Sequence, residues 1–217
     1  GVPHMKPDDR QDLHHRIADA IERLATLARA GEQQAASDQS LSPLQGRILA
    51  LLARRGALRG GAIGKHLMLT QGTVSAAIST LSSKALVQKR RDPSEQRAVL
   101  VELTRPGQRA ATAPEHGRTE PIAAAVAMLS GVESGLLLAS LLKLIGTLEQ
   151  EGRIAATRMC LGCRHFVPGG GRGQKPHFCR LLDRAIGNAE LRVDCPEHAP
   201  ADAMQRGAAL AAFHASR

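Results

Sequence analysis

The chain has 217 residues, with 29 Lys and Arg against 20 Asp and Glu and a formal charge of +9. That length allows one substantial domain, or one domain with an appendage. There is no Trp, no Tyr and only three Phe, which argues against base-stacking readers of single strands or RNA and leaves Leu, Ile, Val and Ala to build the core.

No apolar run approaches the length of a membrane span and no signal peptide is visible, so a cytoplasmic protein without a membrane partner is expected. The charge is uneven. Residues 41–105 hold 11 basic and 3 acidic residues, a balance of +8, and residues 158–217 stand at +4. Residues 1–40 and 106–157 are slightly acidic, at −2 and −1.

In chain order, residues 1–5 read as a cloning remnant followed by a start at Met5. Pro7-Asp8-Asp9 opens a helix whose apolar face is Leu13, Ile17, Ile21 and Leu24. Gly31 can end it, which gives a first helix over 6–31 and a polar linker over 32–40. Ser42-Pro43-Leu44-Gln45 is a capping box with Pro at the first helical position. Leu44, Ile48, Leu51 and Leu52 form the buried stripe of that helix, and Gly56 closes it.

A short helix follows from near Gly60, with Ile63 and Leu67 inward. Thr70 is a good N-cap for the next helix, in which Val74, Ala77, Ile78 and Leu81 recur at helical spacing. Its opposite face carries Gly72, Thr73, Ser75, Ala76, Ser79 and Thr80. Such small side chains let a helix lie deep in a major groove, with hydroxyls and methyls at the base edges. Lys89, Arg90 and Arg91 then lead into the turn Asp92-Pro93-Ser94-Glu95. Arg97 follows, and Val99, Val101 and Leu103 alternate as a half-buried strand should. An Arg near such a tip can enter the minor groove, where the potential is most negative. The expected DNA contacts are therefore Gln71, Thr73, Ser75, Ala76, Ser79, Lys89, Arg90, Arg91 and Arg97.

At these residues the chain resembles the MarR family of winged helix-turn-helix regulators. The family hairpin, Asp-x-x-Asp-x-Arg before a Val/Leu strand and Leu-Thr-x-x-Gly, is met here by Asp92, Glu95, Arg97 and Leu103-Thr104-Arg105-Pro106-Gly107. Glu95 departs from the family acid but keeps the charge. The likeness covers roughly Leu13 to Gln150. It implies a mainly α fold, a winged helix-turn-helix over 41–105 with flanking dimerisation helices, and a dimeric regulator of repressor type.

Thr104 should cap the next helix, with Pro114, Gly117 and Pro121 kinking or breaking it. Ser130-Gly131-Val132-Glu133 is a second capping box. Beyond it Leu137, Leu141, Leu144 and Leu148 run beside a parallel stripe of Leu138, Leu142 and Ile145. A lone domain would struggle to cover both, so residues 106–157 are read as dimerisation helices working with the first helix. A two-fold dimer matches a palindromic duplex operator.

Residues 158–200 form a cysteine-rich extension, and 201–217 a terminal helix and tail. Cys160, Cys163, Cys179 and Cys195, spaced C-x2-C-x15-C-x15-C, lie within 36 residues. Four such thiols in an intracellular chain point to a metal. An iron–sulfur cluster, 4Fe–4S or 2Fe–2S, fits a spacing with only one close pair and a Pro after Cys195. Structural zinc on the same four ligands is the alternative, and reactive thiols or disulfides are the third reading. His165, His177 or His198 could replace one thiol. The function expected is a DNA-binding regulator modulated by the cluster. The alternatives are a regulator with structural zinc and an aromatic or phenolic effector, or a metal-dependent redox or electron carrier. No catalytic dyad, phosphate loop or HExxH-type motif is present, so an enzyme is not expected.

Overall fold

The computed structural model describes residues 7–93 and 95–215, without the side chains of 7, 8, 96, 97 and 112–119. The expected cloning remnant at 1–5 lies outside the described residues. The chain divides into two compact units, Gly1–Ala125 and Val126–Arg217.

The first unit is helical with a small sheet. Its elements are α1 (Pro7–Ser37), α2 (Pro43–Arg55), β1 (Leu58–Arg59), α3 (Gly60–Leu67), α4 (Gln71–Ser83), β2 (Val87–Asp92), β3 (Glu95–Leu103) and α5 (Arg105–Val126). Helix α1 does not stop at Gly31 but continues to Ser37, so most of the expected linker is helical. A single Gly costs only about 1 kcal/mol in a helix, and the fully buried Ala36 packs beside Ile48, Leu49 and Leu52 of α2. Both capping residues of α2 act as expected. The Ser42 hydroxyl accepts from the Gln45 amide, the Gln45 side chain accepts from the Ser42 amide, and Gly56 is the C-cap at φ 75°.

The core collects α2, α3, α4 and the inner strand positions: Ile48, Leu49, Leu52, Ile63, Val74, Ile78, Leu81, Val87 and Val101. Each aliphatic side chain of this kind contributes about 1.5–3 kcal/mol on full burial. Strand order is β1-β3-β2, all antiparallel, with Leu58 opposite Val101 and Val87 opposite Leu103. Strand β1 had no sequence signal, because two residues are too few to show alternation. Val99 is 47% exposed although Val101 is buried. The hairpin runs past the apolar core there, and the side chain of Val99 is left largely in solvent.

Thr104 ties the strand end to α5. Its hydroxyl donates to the Ala85 carbonyl at 2.6 Å and accepts from the Gly107 amide at 3.1 Å. Gly107 lies so close to this junction that a Cβ would fall 1.8 Å from the Leu86 carbonyl oxygen. Helix α5 spans Arg105–Val126 through the expected interruption. The chain leaves helical structure after Val126 instead and restarts at the Ser130 capping box. The side chains of Pro114 and Gly117 lie outside the described residues.

The second unit contains α6 (Gly131–Gln150), a 3-10 turn at Cys160–Gly162, β4 (Phe166–Val167), β5 (His177–Cys179), β6 (Arg184–Ile186), a second 3-10 turn at Asn188–Glu190 and α7 (Ala203–Ala215). The three strands form an antiparallel sheet in the order β4-β5-β6. Its core joins Ala139 and Leu142 of α6 to Met159, Leu161, Phe166, Ile186 and Leu191, and to Leu210 and Phe213 of α7. Contrary to the sequence expectation, α6 is long and apolar enough to cross a membrane by length and composition. One of its faces packs on the core of this unit, as the core helix of a globular domain does.

Candidate nucleic-acid interface and cysteine cavity

Helix α4 sorts its residues by face. Val74, Ala77, Ile78 and Leu81 are buried, whereas Gln71, Thr73, Ser75, Ala76 and Ser79 are all exposed. The Thr70 cap accepts from the Thr73 amide, and the two threonine hydroxyls share a 2.9 Å hydrogen bond. Thr73 therefore presents mainly its methyl group, while the Ser75 and Ser79 hydroxyls open to solvent. The structure brings these five residues together on one helix surface.

Lys89, Arg90 and Arg91 are exposed on β2. Arg90 is held by Glu102 across the strands at 3.1 Å, and Gln88 donates to the same carboxylate at 2.8 Å. These side-chain bonds, Gln88 foremost, hold the Glu102 carboxyl below its ordinary range. Arg97 belongs to β3, but its side chain lies outside the described residues.

One functional residue had no separate sequence signal. Arg59, at the N-terminus of α3, donates from Nε and Nη2 to Asp92 at 2.9 and 2.6 Å and meets Glu95 at 2.6 Å. Asp92 is buried and sits at an irregularity in the strand pairing between Arg91 and Asp92. The guanidinium thus fastens both acids of the hairpin turn to the helix-turn-helix. Bonds to Asp92 and then Glu95 raise its pKa further above the ordinary value. The acids at 92 and 95 mark a wing in the sequence, but their partner 33 residues upstream emerges only from the fold.

In the second unit the four cysteines line one cavity of about 130 Å³, together with His165, Phe166, Ile186, Glu190, Arg192 and Glu197 among others. All four are free thiols and half-buried. Backbone bonds explain how distant segments meet. The Cys160 amide donates to the Arg192 carbonyl at 3.0 Å, and the Cys195 amide to the Arg158 carbonyl at 2.8 Å. These lace residues 158–160 to 192–195, reinforced by the Arg158–Asp194 pair at 2.6 Å. Phe166, three residues past Cys163, is paired with Cys179 between β4 and β5.

Burial pushes the Cys160 thiol up, against the pull of the Arg192 amide, which donates to its Sγ at 3.3 Å. Of the three histidines weighed as substitutes, only His165 lines the cavity. His177 is 1% exposed, hydrogen-bonded to Asn188 at 3.0 Å and packed on Phe166 and Phe213. Among the basic neighbours, Lys175 and Arg184 are taken up by Glu190, whose carboxyl the Gly187 amide and Arg184 hold down at about 2. Arg192 stays beside the thiols. Among the described residues no three His, Cys, Asp or Glu side chains are gathered as the ligands of one ion.

Part of the chain resembles known proteins. Residues 41–99 match the family described as MarR. Solved structures of the same fold include a MarR family transcription regulator, 18% identical, covering 67% of this chain and 97% of its own with a TM-score of 0.57. RV1404 from Mycobacterium tuberculosis is 18% identical, over 67% of this chain and 96% of its own, at a TM-score of 0.51. A mutant of MepR from a multidrug resistant S. aureus clinical isolate is 23% identical, over 61% and 96%, also at 0.51. No curated protein matches the chain by sequence. The chain thus carries a MarR-type winged helix-turn-helix, and about a third of its length has no counterpart in these structures.

Proposed function

We propose that this is a homodimeric, sequence-specific DNA-binding regulator of repressor type, modulated by an iron–sulfur cluster on Cys160, Cys163, Cys179 and Cys195. The observation that carries the DNA reading is the exposed row of Gln71, Thr73, Ser75, Ala76 and Ser79 on α4, in a segment of charge +8. Small polar side chains on a helix suit base-edge readout, and the basic excess suits phosphate. The two acids of the wing turn, Asp92 and Glu95, are locked to Arg59 and Arg90 is held by Glu102, which leaves Lys89, Arg91 and Arg97 for the backbone and the minor groove.

Two apolar rows support the dimer. Ile17, Ile21, Leu24 and Leu27 are 40–51% exposed on α1, and Leu137, Leu141, Leu144 and Leu148 are 36–46% exposed on α6. Coverage by a second copy would remove both from water and present two recognition helices to a palindromic duplex.

The cavity supports a cluster over a single zinc. Tetrahedral zinc needs four sulfurs about 2.3 Å from one point and more often takes them from two close pairs, whereas here the cavity is lined by one close pair, Cys160 and Cys163, and two distant cysteines. The donors suit iron and sulfide, and Arg192 would offset their charge. A bound cluster would supply sensitivity to oxidants and nitric oxide. The protein's part is to hold the four thiolates and to limit water through Phe166 and Ile186.

The test is anaerobic purification with iron and sulfide analysis, followed by selection of duplexes and titration at several salt concentrations. Stoichiometric iron and sulfide, binding of a palindrome by a dimer, and a log–log salt slope of about −5 or steeper are expected. Salt-insensitive binding would overturn the DNA reading, and stoichiometric zinc without iron the cluster.

A further inference from the structure

Helix α6 has two apolar sides in different surroundings. One side buries Gly135, Ala139, Leu142 and Gly146, and the other exposes the leucine row assigned above to a second copy. The approach on the buried side is close. A Cβ on Gly135 would lie 3.3 Å from the Ala189 nitrogen, and one on Gly146 would lie 2.9 Å from Leu210 and 3.4 Å from Leu161.

The cover over this side is largely the cysteine segment. Met159 and Leu161 flank Cys160, Phe166 follows Cys163, and Cys160, Cys163 and Cys179 themselves pack against the core. That cover has little regular structure of its own, with strands of two or three residues and single 3-10 turns. Elements this short do not stand alone, so ligands that clamp the segment contribute directly to its folding.

We infer that occupancy of the cysteine cavity is transmitted to α6. With the four thiolates clamped, Met159, Leu161 and Leu191 are held against Ala139, Leu142 and Gly146, and the helix keeps its support along that side. Without the clamp the cover loosens, and a 20-residue helix is left with α7 as its main remaining partner within its own chain. In proteins most of a helix's stability comes from tertiary packing of its apolar face rather than from propensity. The inference rests on the proposed cluster and adds the route by which its loss reaches the helix bearing the leucine row.

Hydrogen–deuterium exchange on the full chain tests it. Anaerobic protein is compared before and after cluster removal with ferricyanide and EDTA. Protection of amides 137–148 should fall at least tenfold, while amides 48–52 in α2 stay within about twofold. Unchanged exchange over 137–148, with iron and sulfide shown to be bound and then removed, overturns this inference alone. Protein that never carries iron and sulfide overturns the cluster and this inference with it. Leu161→Ala keeps all four thiols. It should retain the visible cluster absorption yet already lose protection over 137–148, and wild-type protection in that variant overturns the route through Leu161.

Discussion

Replacing Gly107 with Ala sets two effects of opposite sign against each other. In an ordinary helix the change stabilises by about 0.5–1 kcal/mol, because Gly loses more backbone freedom on folding. Here the added methyl would stand 1.8 Å from the Leu86 carbonyl oxygen and 2.9 Å from its carbonyl carbon. The obstacle is backbone, so no rotamer change relieves it, and the start of α5 must move by more than an ångström. Thr104 is held at this point to Ala85, Leu86 and Gly107, so the shift strains the cap as well. Overpacking costs about 1–3 kcal/mol and a lost cap about 1 kcal/mol. Less the propensity gain, Gly107→Ala should destabilise by about 1–3 kcal/mol. Urea unfolding followed by circular dichroism measures it. Gly61→Ala in α3 is the control, since its Cβ would meet nothing within 4 Å, and it should stabilise by about 0.5–1 kcal/mol. A Gly107→Ala chain as stable as that control would refute the reasoning.

Three further outcomes follow from the first unit. Ser75→Ala should lose about 1–3 kcal/mol of preference for one base at one operator position, read by competition between single-base variants, with non-specific binding unchanged. Arg59→Leu should release the wing and lower DNA affinity on the order of tenfold while leaving the salt slope intact, because its charge is spent on Asp92 and Glu95; a slope shallower by about one would show that Arg59 reaches phosphate. Burial, and then Arg55, lower the His66 pKa, so the fold prefers the neutral ring. Its contribution is complete above the ordinary value near 6.5 and is lost as pH falls through the lower folded value. Melting temperature should therefore drop below pH 6.5, less steeply in His66→Gln, and parallel curves would remove His66 as the cause.

Local chemistry made much of the first unit legible. The capping box at Ser42, the Thr70 cap and the 74-77-78-81 stripe each specify a helix from neighbours within four residues, as the Ser130 box does at the start of the second unit. What escaped was non-local. Gly31 reads as a stop, yet Ala36 packing on α2 carries the helix past it. The β1 strand and the Arg59 fastening depend on β3 and on Asp92, far along the chain. In the second unit the spacing of the cysteines indicated a common site, and all four line one cavity. The spacing did not indicate the sheet β4-β5-β6. It also gave no warning that His177 turns inward to Asn188 and Phe213 while His165 faces the thiols.

The core of the second unit is closed by its ends. Leu210 and Phe213 of α7 pack with Leu142 of α6, and Lys143 lies 5.3 Å over the Phe213 ring. On the ribosome the described core residues of the winged helix-turn-helix have all emerged once Ala111 is out. The apolar helix α6 appears soon after and then waits for some sixty more residues, through the fourth thiol and on to Phe213, before its cover can be completed. A newborn chain thus carries a finished reading head and a bare hydrophobic rod at the same time. That interval is when it should depend most on chaperones.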